Sequence, residues 1–242
     1  MKRFSTIIAF IFLFVPGALL AQDPEAASEG LSLWGMIKQG GWAMYPLGLS
    51  SLFMLFLIIH CWRETNGTKF VPATGMDTVE TSMREGQLEE ALKQVIQVPT
   101  VLSRALVQSL GRLKLPINDR KREKSEASLV EALEGEENSI NQWITYLNVI
   151  AAVAPMIGLL GTVSGMIGAF QTMATSGMGR PELFAGNIGE ALIRTATGLV
   201  IGIPSMICFF MMRNRMNNGM LATIQAANVL MDTLEEGKDE EA

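Results

Sequence analysis

Apolar and polar positions are sorted into long blocks along the chain. The longest apolar block is Ala154-Pro155-Met156-Ile157-Gly158-Leu159-Leu160-Gly161-Thr162-Val163-Ser164-Gly165-Met166-Ile167-Gly168-Ala169-Phe170, which carries no ionisable side chain. With residues 144–153 it runs for about 30 residues, or roughly 45 Å of helix, enough to cross a bilayer with a turn or two to spare. Residues 43–63 and 188–212 form two further blocks of about 20 and 25 residues, each long enough to span. Between the first two blocks the pattern changes. Leu88, Ala91, Leu92, Val95 and Ile96 recur at three and four residues, as do Val101, Leu102, Ala105, Leu106 and Leu113. That spacing predicts amphipathic helices, punctuated by Gly86, Pro99, Gly111 and Pro116. Residues 125–140 and 221–234 read as two more. The pattern predicts an all-α, polytopic membrane protein, with three mature transmembrane helices extended into a cytoplasmic helical bundle.

Taken in order, the chain divides as follows. Residues 1–21 have the charged start, short apolar core and Ala18-Leu19-Leu20-Ala21 site of a signal peptide. An uncleaved N-terminal helix is the alternative, and both leave residue 22 onward outside. Residues 22–42 form a periplasmic and interfacial segment, with Trp34 and Trp42 at headgroup depth. Transmembrane helices occupy 43–63, 143–173 and 188–212. A cytoplasmic helical domain fills 64–142, a periplasmic loop with Gly177, Gly179 and Pro181 fills 174–187, and a cytoplasmic helix and acidic tail fill 213–242. Arg63, Arg213 and Arg215 flank the spans on one side, which the positive-inside rule assigns to the cytosol. The C-terminus is therefore cytoplasmic and the mature N-terminus periplasmic. His60, beside Trp62 and Arg63, reads as an interfacial anchor.

Composition narrows the class. Nearly half of the 242 residues are apolar and the formal charge is −5. No basic stripe is interleaved with aromatics, so nucleic acid is not an expected partner. Cys61 and Cys208 end two apolar runs on the cytosolic side and read as packing thiols. The basic run Arg120-Lys121-Arg122-Glu123-Lys124 reads as a solvated helix face.

The chemistry lies in the second and third spans. Gly158, Gly161, Gly165 and Gly168 recur at helical spacing, with Pro155 at the start of the run. Ala191, Thr195, Gly198 and Gly202 share one face of the third span, and Pro204 follows. Seams of small residues let helices approach closely in lipid. Thr162 and Thr195 put a hydroxyl within each seam, so packed seams would line one narrow polar path. A Thr hydroxyl bonded back to its own helix is the plainer reading. Glu190 and Arg194 are one turn apart and can form an ion pair. Both lie either at the outer headgroup level, where the cost is small, or facing protein or water. No Asp or Glu sits at mid-depth in any span. Hydroxyls do not hold a proton near neutral pH, so a proton path would need a carboxylate from another chain. No nucleophile elbow, His-Glu-x-x-His or phosphate loop is present, and no enzyme activity or cofactor is expected.

The segment from Ala154 to Ile167 with Phe170, and Gly189-Glu190-Ala191-Leu192-Ile193-Arg194-Thr195-Ala196-Thr197-Gly198-Leu199-Val200-Ile201-Gly202-Ile203-Pro204, closely resemble the two signature segments of the MotA/TolQ/ExbB proton-channel family. Three spans with an outer N-terminus resemble its ExbB/TolQ branch. The resemblance covers about residues 46–220 and implies a homopentamer in the bacterial inner membrane. It also implies a single-span partner of the ExbD/TolR type that brings an Asp into the ring. Thr162 and Thr195 would face that Asp, and Glu190 would be the family's acidic residue at the start of the third span. Proton flow would then drive TonB- or TolA-linked work at the outer membrane, with Na⁺ open as an alternative ion. Arg194 departs from the family, which usually has a small or hydroxyl residue there. A structural membrane scaffold held by its glycine seams is the competing expectation.

Overall fold

The computed structural model describes residues 40–72, 76–84, 88–97, 99–110, 119–176 and 181–239. The expected signal peptide and nearly all of the expected interfacial segment lie outside the described residues. Among these residues six α-helices follow a 3₁₀ turn at Gly41–Ala43: α1 (Met44–Glu64), α2 (Met76–Arg84), α3 (Leu88–Gln97), α4 (Val101–Leu110), α5 (Asp119–Ser176) and α6 (Pro181–Asp239). A second 3₁₀ turn lies at Gly67–Lys69. Among the described residues there is no strand. Among the described residues, three helices are long and apolar enough to cross a membrane: α1 within Gly41–Glu64, α5 within Glu123–Thr175 and α6 within Phe184–Thr233.

The amphipathic stretches at 125–140 and 221–234 continue α5 and α6 without a break, as spans extended into a helical bundle do. The loop expected at 174–187 is shorter, because α5 runs to Ser176 and α6 begins at Pro181. Proline at the first helical position supplies a fixed φ and lacks only an N–H that would have no helical partner. Polarity together with Gly177, Gly179 and Pro181 marks 174–187 as loop, but a helix end projecting from a span carries polar residues as readily as a loop does.

The chain divides into two compact units. The first holds residues 40–56 with Leu147–Cys208. Its interior mixes small residues, with Ala43, Ala154, Ala169 and Ala191 buried, and larger ones, with Leu47, Leu147, Ile150 and Ile201 buried beside them. Many of its large apolar side chains point outward, among them Tyr45, Leu49, Met156, Leu159, Leu192 and Ile203. A water-soluble surface would not expose so many. In lipid the outside is as apolar as a Leu side chain, so close packing of small residues, rather than burial of large ones, holds the helices together.

The second unit holds Leu57–Tyr146 with residues 209–239 and packs large side chains inside: Leu57, Phe70, Leu102, Leu106, Ile144, Met212, Met216 and Leu230. Phe70 lies over Gly219, where an added Cβ would fall 2.6 Å from the ring. Helix α4 opens with a reciprocal cap. Ser103 N–H donates to Thr100 Oγ1 at 3.2 Å, and Thr100 N–H donates to Ser103 Oγ at 2.7 Å. Two otherwise unpaired donors are thereby satisfied at the helix start. Arg104 makes a two-pronged ion pair with Glu136 at 2.7 and 2.6 Å. The hydrogen bonds it donates to that carboxylate raise the Arg104 guanidinium above its usual pKa. His60 stands edge-on to Trp143 at 4.7 Å between centroids, and Arg215 stacks 4.2 Å from the Trp62 ring centroid.

Candidate ion-path site

The small residues of α5 and α6 meet in a zone where backbone approaches backbone. At Gly198 an added Cβ would lie 2.7 Å from the Ala154 carbonyl oxygen and 3.2 Å from Pro155 Cα. At Gly158 it would lie 2.9 Å from the Arg194 carbonyl oxygen and 3.1 Å from Thr195 Cα. Real Cβ atoms do not occupy such positions, so only glycine permits this spacing. Pro155 shapes the next contact. It has no N–H, so the Ala151 carbonyl four residues back lacks its helical donor. Gly202 is the residue that fits there: its Cβ would lie 3.0 Å from that carbonyl and 2.7 Å from the Pro155 ring. One turn further along α6, Ser205 Oγ donates to the Leu147 carbonyl at 2.7 Å, both residues being buried.

Toward the other end of the zone the glycines have a different neighbour. A Cβ on Gly161 would meet Arg194 Cδ at 2.9 Å, and one on Gly165 would meet Arg194 Nη1 at 2.8 Å. These two glycines make room for a guanidinium. Arg194 is 7% exposed and reaches three acceptors. Its Nε donates to the Gly40 carbonyl at 2.7 Å, Nη1 to the Gly161 carbonyl at 2.9 Å, and Nη2 to Glu190 Oε2 at 3.1 Å. Gly41, at φ +61°, adopts the left-handed backbone that favours glycine, and an added Cβ there would touch Nη2 at 3.0 Å. Of the two settings open to Arg194, the structure has the one facing protein. Glu190 is less enclosed, with 41% of its side chain accessible.

The two threonines differ. Thr195 Oγ1 points across to α5 and donates to the Gly158 carbonyl at 3.4 Å. Thr162 Oγ1 turns back to its own helix and donates to the Leu159 carbonyl at 2.7 Å. Gly168, read as the last member of the seam, has nothing within 4 Å of an added Cβ. Gly168 therefore lies off the closely packed face, which is shared by Gly165, where an added Cβ would lie 3.2 Å from the Ala191 Cβ, and by the buried Ala169. Pro204 lies inside α6 and is partly buried. Among the described residues no group of three or more His, Cys, Asp and Glu is placed to hold a metal.

Sequence reasoning missed the main-chain partners of Arg194, the Ser205 bond to Leu147 and the 3.4 Å bond from Trp42 Nε1 to Ser164 Oγ. The Glu190–Arg194 spacing was the only signal for the first, and it pointed to one of three contacts.

The model of the MotA/TolQ/ExbB proton channel family matches residues 77–224, which include the whole α5–α6 zone. The chain belongs to this family. Its relatives place it in the ExbB/TolQ branch. The biopolymer transport protein ExbB of Neisseria meningitidis (strain Z2491) is 34% identical over 186 residues, 71% of this chain and 78% of that protein. The ExbB of Xanthomonas campestris (strain B100) is 39% identical over 82 residues, and the Tol-Pal system protein TolQ of Haemophilus influenzae is 35% identical over 86. Those two matches take in about a third of each relative, 32% and 38% of its length. Family membership and three membrane-capable helices together make this a multi-pass membrane protein.

Proposed function

We propose that the chain is the proton-channel stator subunit of an inner-membrane energy-transducing motor of the ExbB–ExbD–TonB or TolQ–TolR–TolA type. It works as a homopentamer, with the mature N-terminus periplasmic and the C-terminus cytoplasmic. A single-span partner of the ExbD/TolR type supplies the Asp that takes up and releases protons. Thr162 and Thr195 line the path, and Glu190 stands near its outer end. Proton flow through that path drives a TonB- or TolA-like protein.

The observation that carries this reading is the polar content of the α5–α6 zone. Two hydroxyls sit among glycines on spans of the matched family, and this chain has no Asp or Glu between residues 138 and 181 or between 191 and 231. Such a site polarises or relays but cannot titrate near neutral pH, so it calls for a visiting acid. Replacing Thr162 and Thr195 together with Ala should abolish proton-driven work while the complex still assembles. Full activity in the assembled double variant would refute the reading. Replacing Na⁺ by choline in the same assay distinguishes the two ions.

One observation favours a scaffold instead. Both hydroxyls already have acceptors within the chain, Thr162 on Leu159 and Thr195 on Gly158. A scaffold would tolerate Val at both positions and would not tolerate Gly161→Leu or Gly165→Leu.

A further inference from the structure

Arg194 is built into this protein more thoroughly than an ion pair requires. Glu190 alone, one turn away on the same helix, would satisfy a charge at a span end. Instead the side chain is buried against the Gly40 carbonyl ahead of α1 and the Gly161 carbonyl of α5. Its volume is provided by Gly161 and Gly165, where any Cβ would fall within 3 Å of an Arg194 side-chain atom. Three of the five guanidinium donors are thus committed to three different segments. Glu190 contributes the one anionic acceptor of the set, and 41% of its side chain stays accessible.

We propose that Arg194 is a positioning residue that clasps the start of α1 and the helices α5 and α6 around the ion path. Glu190 is its counter-ion, and the carboxylate acts through Arg194 rather than carrying the transported proton. This rests on the proton-channel reading. A buried guanidinium stripped of its anion is strongly disfavoured, whereas removing both charges leaves neutral groups that the site can repack. The two assignments for Glu190 therefore part company in a double variant. A carrier carboxylate cannot be replaced by deleting Arg194, while a counter-ion becomes dispensable once the cation is gone.

The test uses the complex of this chain with its single-span partner, reconstituted in vesicles and read with a pH-sensitive dye. Glu190→Gln alone is expected to lower proton flux at least tenfold. Glu190→Gln combined with Arg194→Ala is expected to recover at least tenfold over Glu190→Gln. Thermal melting in detergent gives a second readout that does not depend on conduction. There the two single variants should each lower the midpoint, and the double should lower it by clearly less than their sum. A double variant that melts non-additively yet conducts no better than Glu190→Gln overturns the counter-ion assignment. Additive melting, or full flux in Glu190→Gln, overturns the clasp. If the unaltered complex moves no protons, the channel reading fails, and the melting series still decides the clasp by itself.

Discussion

Gly198→Ala gives the sharpest measure of how the α5–α6 zone is held. The new Cβ would start 2.7 Å from the Ala154 carbonyl oxygen, about 0.7 Å inside ordinary contact at 3.4 Å. Its nearest neighbours, Ala154 O, Pro155 Cα and Ala154 C, are all main-chain atoms, so no rotamer change relieves the clash. The helices must part locally by several tenths of an ångström. Overpacking of this kind costs about 1–3 kcal/mol, and a backbone clash lies at the upper end. A gap of about 0.5–1 Å also forfeits a quarter to a half of each dispersion contact across the seam at Gly158 and Gly202. Against this, Ala gains about 0.8–1 kcal/mol over Gly in helix propensity. The net expectation is a loss of about 2 kcal/mol or more, roughly thirtyfold in the folding equilibrium. Gly168→Ala is the internal control. It has the same propensity gain and open space around the Cβ, so it should be neutral or stabilising by up to about 1 kcal/mol. Both variants can be compared by SDS titration in mixed micelles at concentrations where chains are separated. If Gly168→Ala proves as damaging as Gly198→Ala, or Gly198→Ala is neutral, the seam is not what holds these helices.

The second unit offers two independent tests. Phe70→Ala removes a ring that is 1% exposed and seated on Gly219, so it should cost about 3–5 kcal/mol, read as a lowered melting midpoint. Thr100→Ala removes the side-chain half of the cap on α4 and should cost about 1 kcal/mol, with faster amide hydrogen exchange confined to the first turn of α4.

Much of the helical layout was legible, because the signals were long and redundant. A bilayer-length apolar run such as 143–173 needs no neighbour to interpret it. What could not be read was where a helix stops. The end of the amphipathic stretch at residue 140 and the polar residues after Arg213 look like boundaries, yet α5 and α6 pass through them unbroken. In a helix that leaves the membrane, polarity changes with the solvent while the backbone need not change at all. The site was legible to a lesser degree for a related reason. Helical spacing grouped Gly158, Gly161, Gly165 and Gly168, but spacing reports only which residues share a face, not what stands opposite. Gly158 meets backbone, Gly165 meets a guanidinium and Gly168 meets nothing, and the three are indistinguishable in one dimension.

Arg194 shows the same limit from the other side. Its charge drew attention to Glu190, because charge pairs with charge at four residues on a helix. Two of its three acceptors are carbonyls of glycines, Gly40 and Gly161, which leave no side-chain signal. A guanidinium reading main-chain oxygens is invisible to any pattern of residue types. It becomes predictable only when an unexplained pair of glycines is found facing a long side chain. The small residues of this zone therefore have two duties: those around Pro155 set the distance between α5 and α6, and those around Arg194 set aside the volume for a buried cation. Substituting Ala at Gly165 should accordingly be relieved by Arg194→Ala, while no side-chain truncation on α5 should relieve Ala at Gly198. That difference in rescue, measured in the same micelle titration, separates the two duties. Equal rescue at both positions would show that the seam has only one.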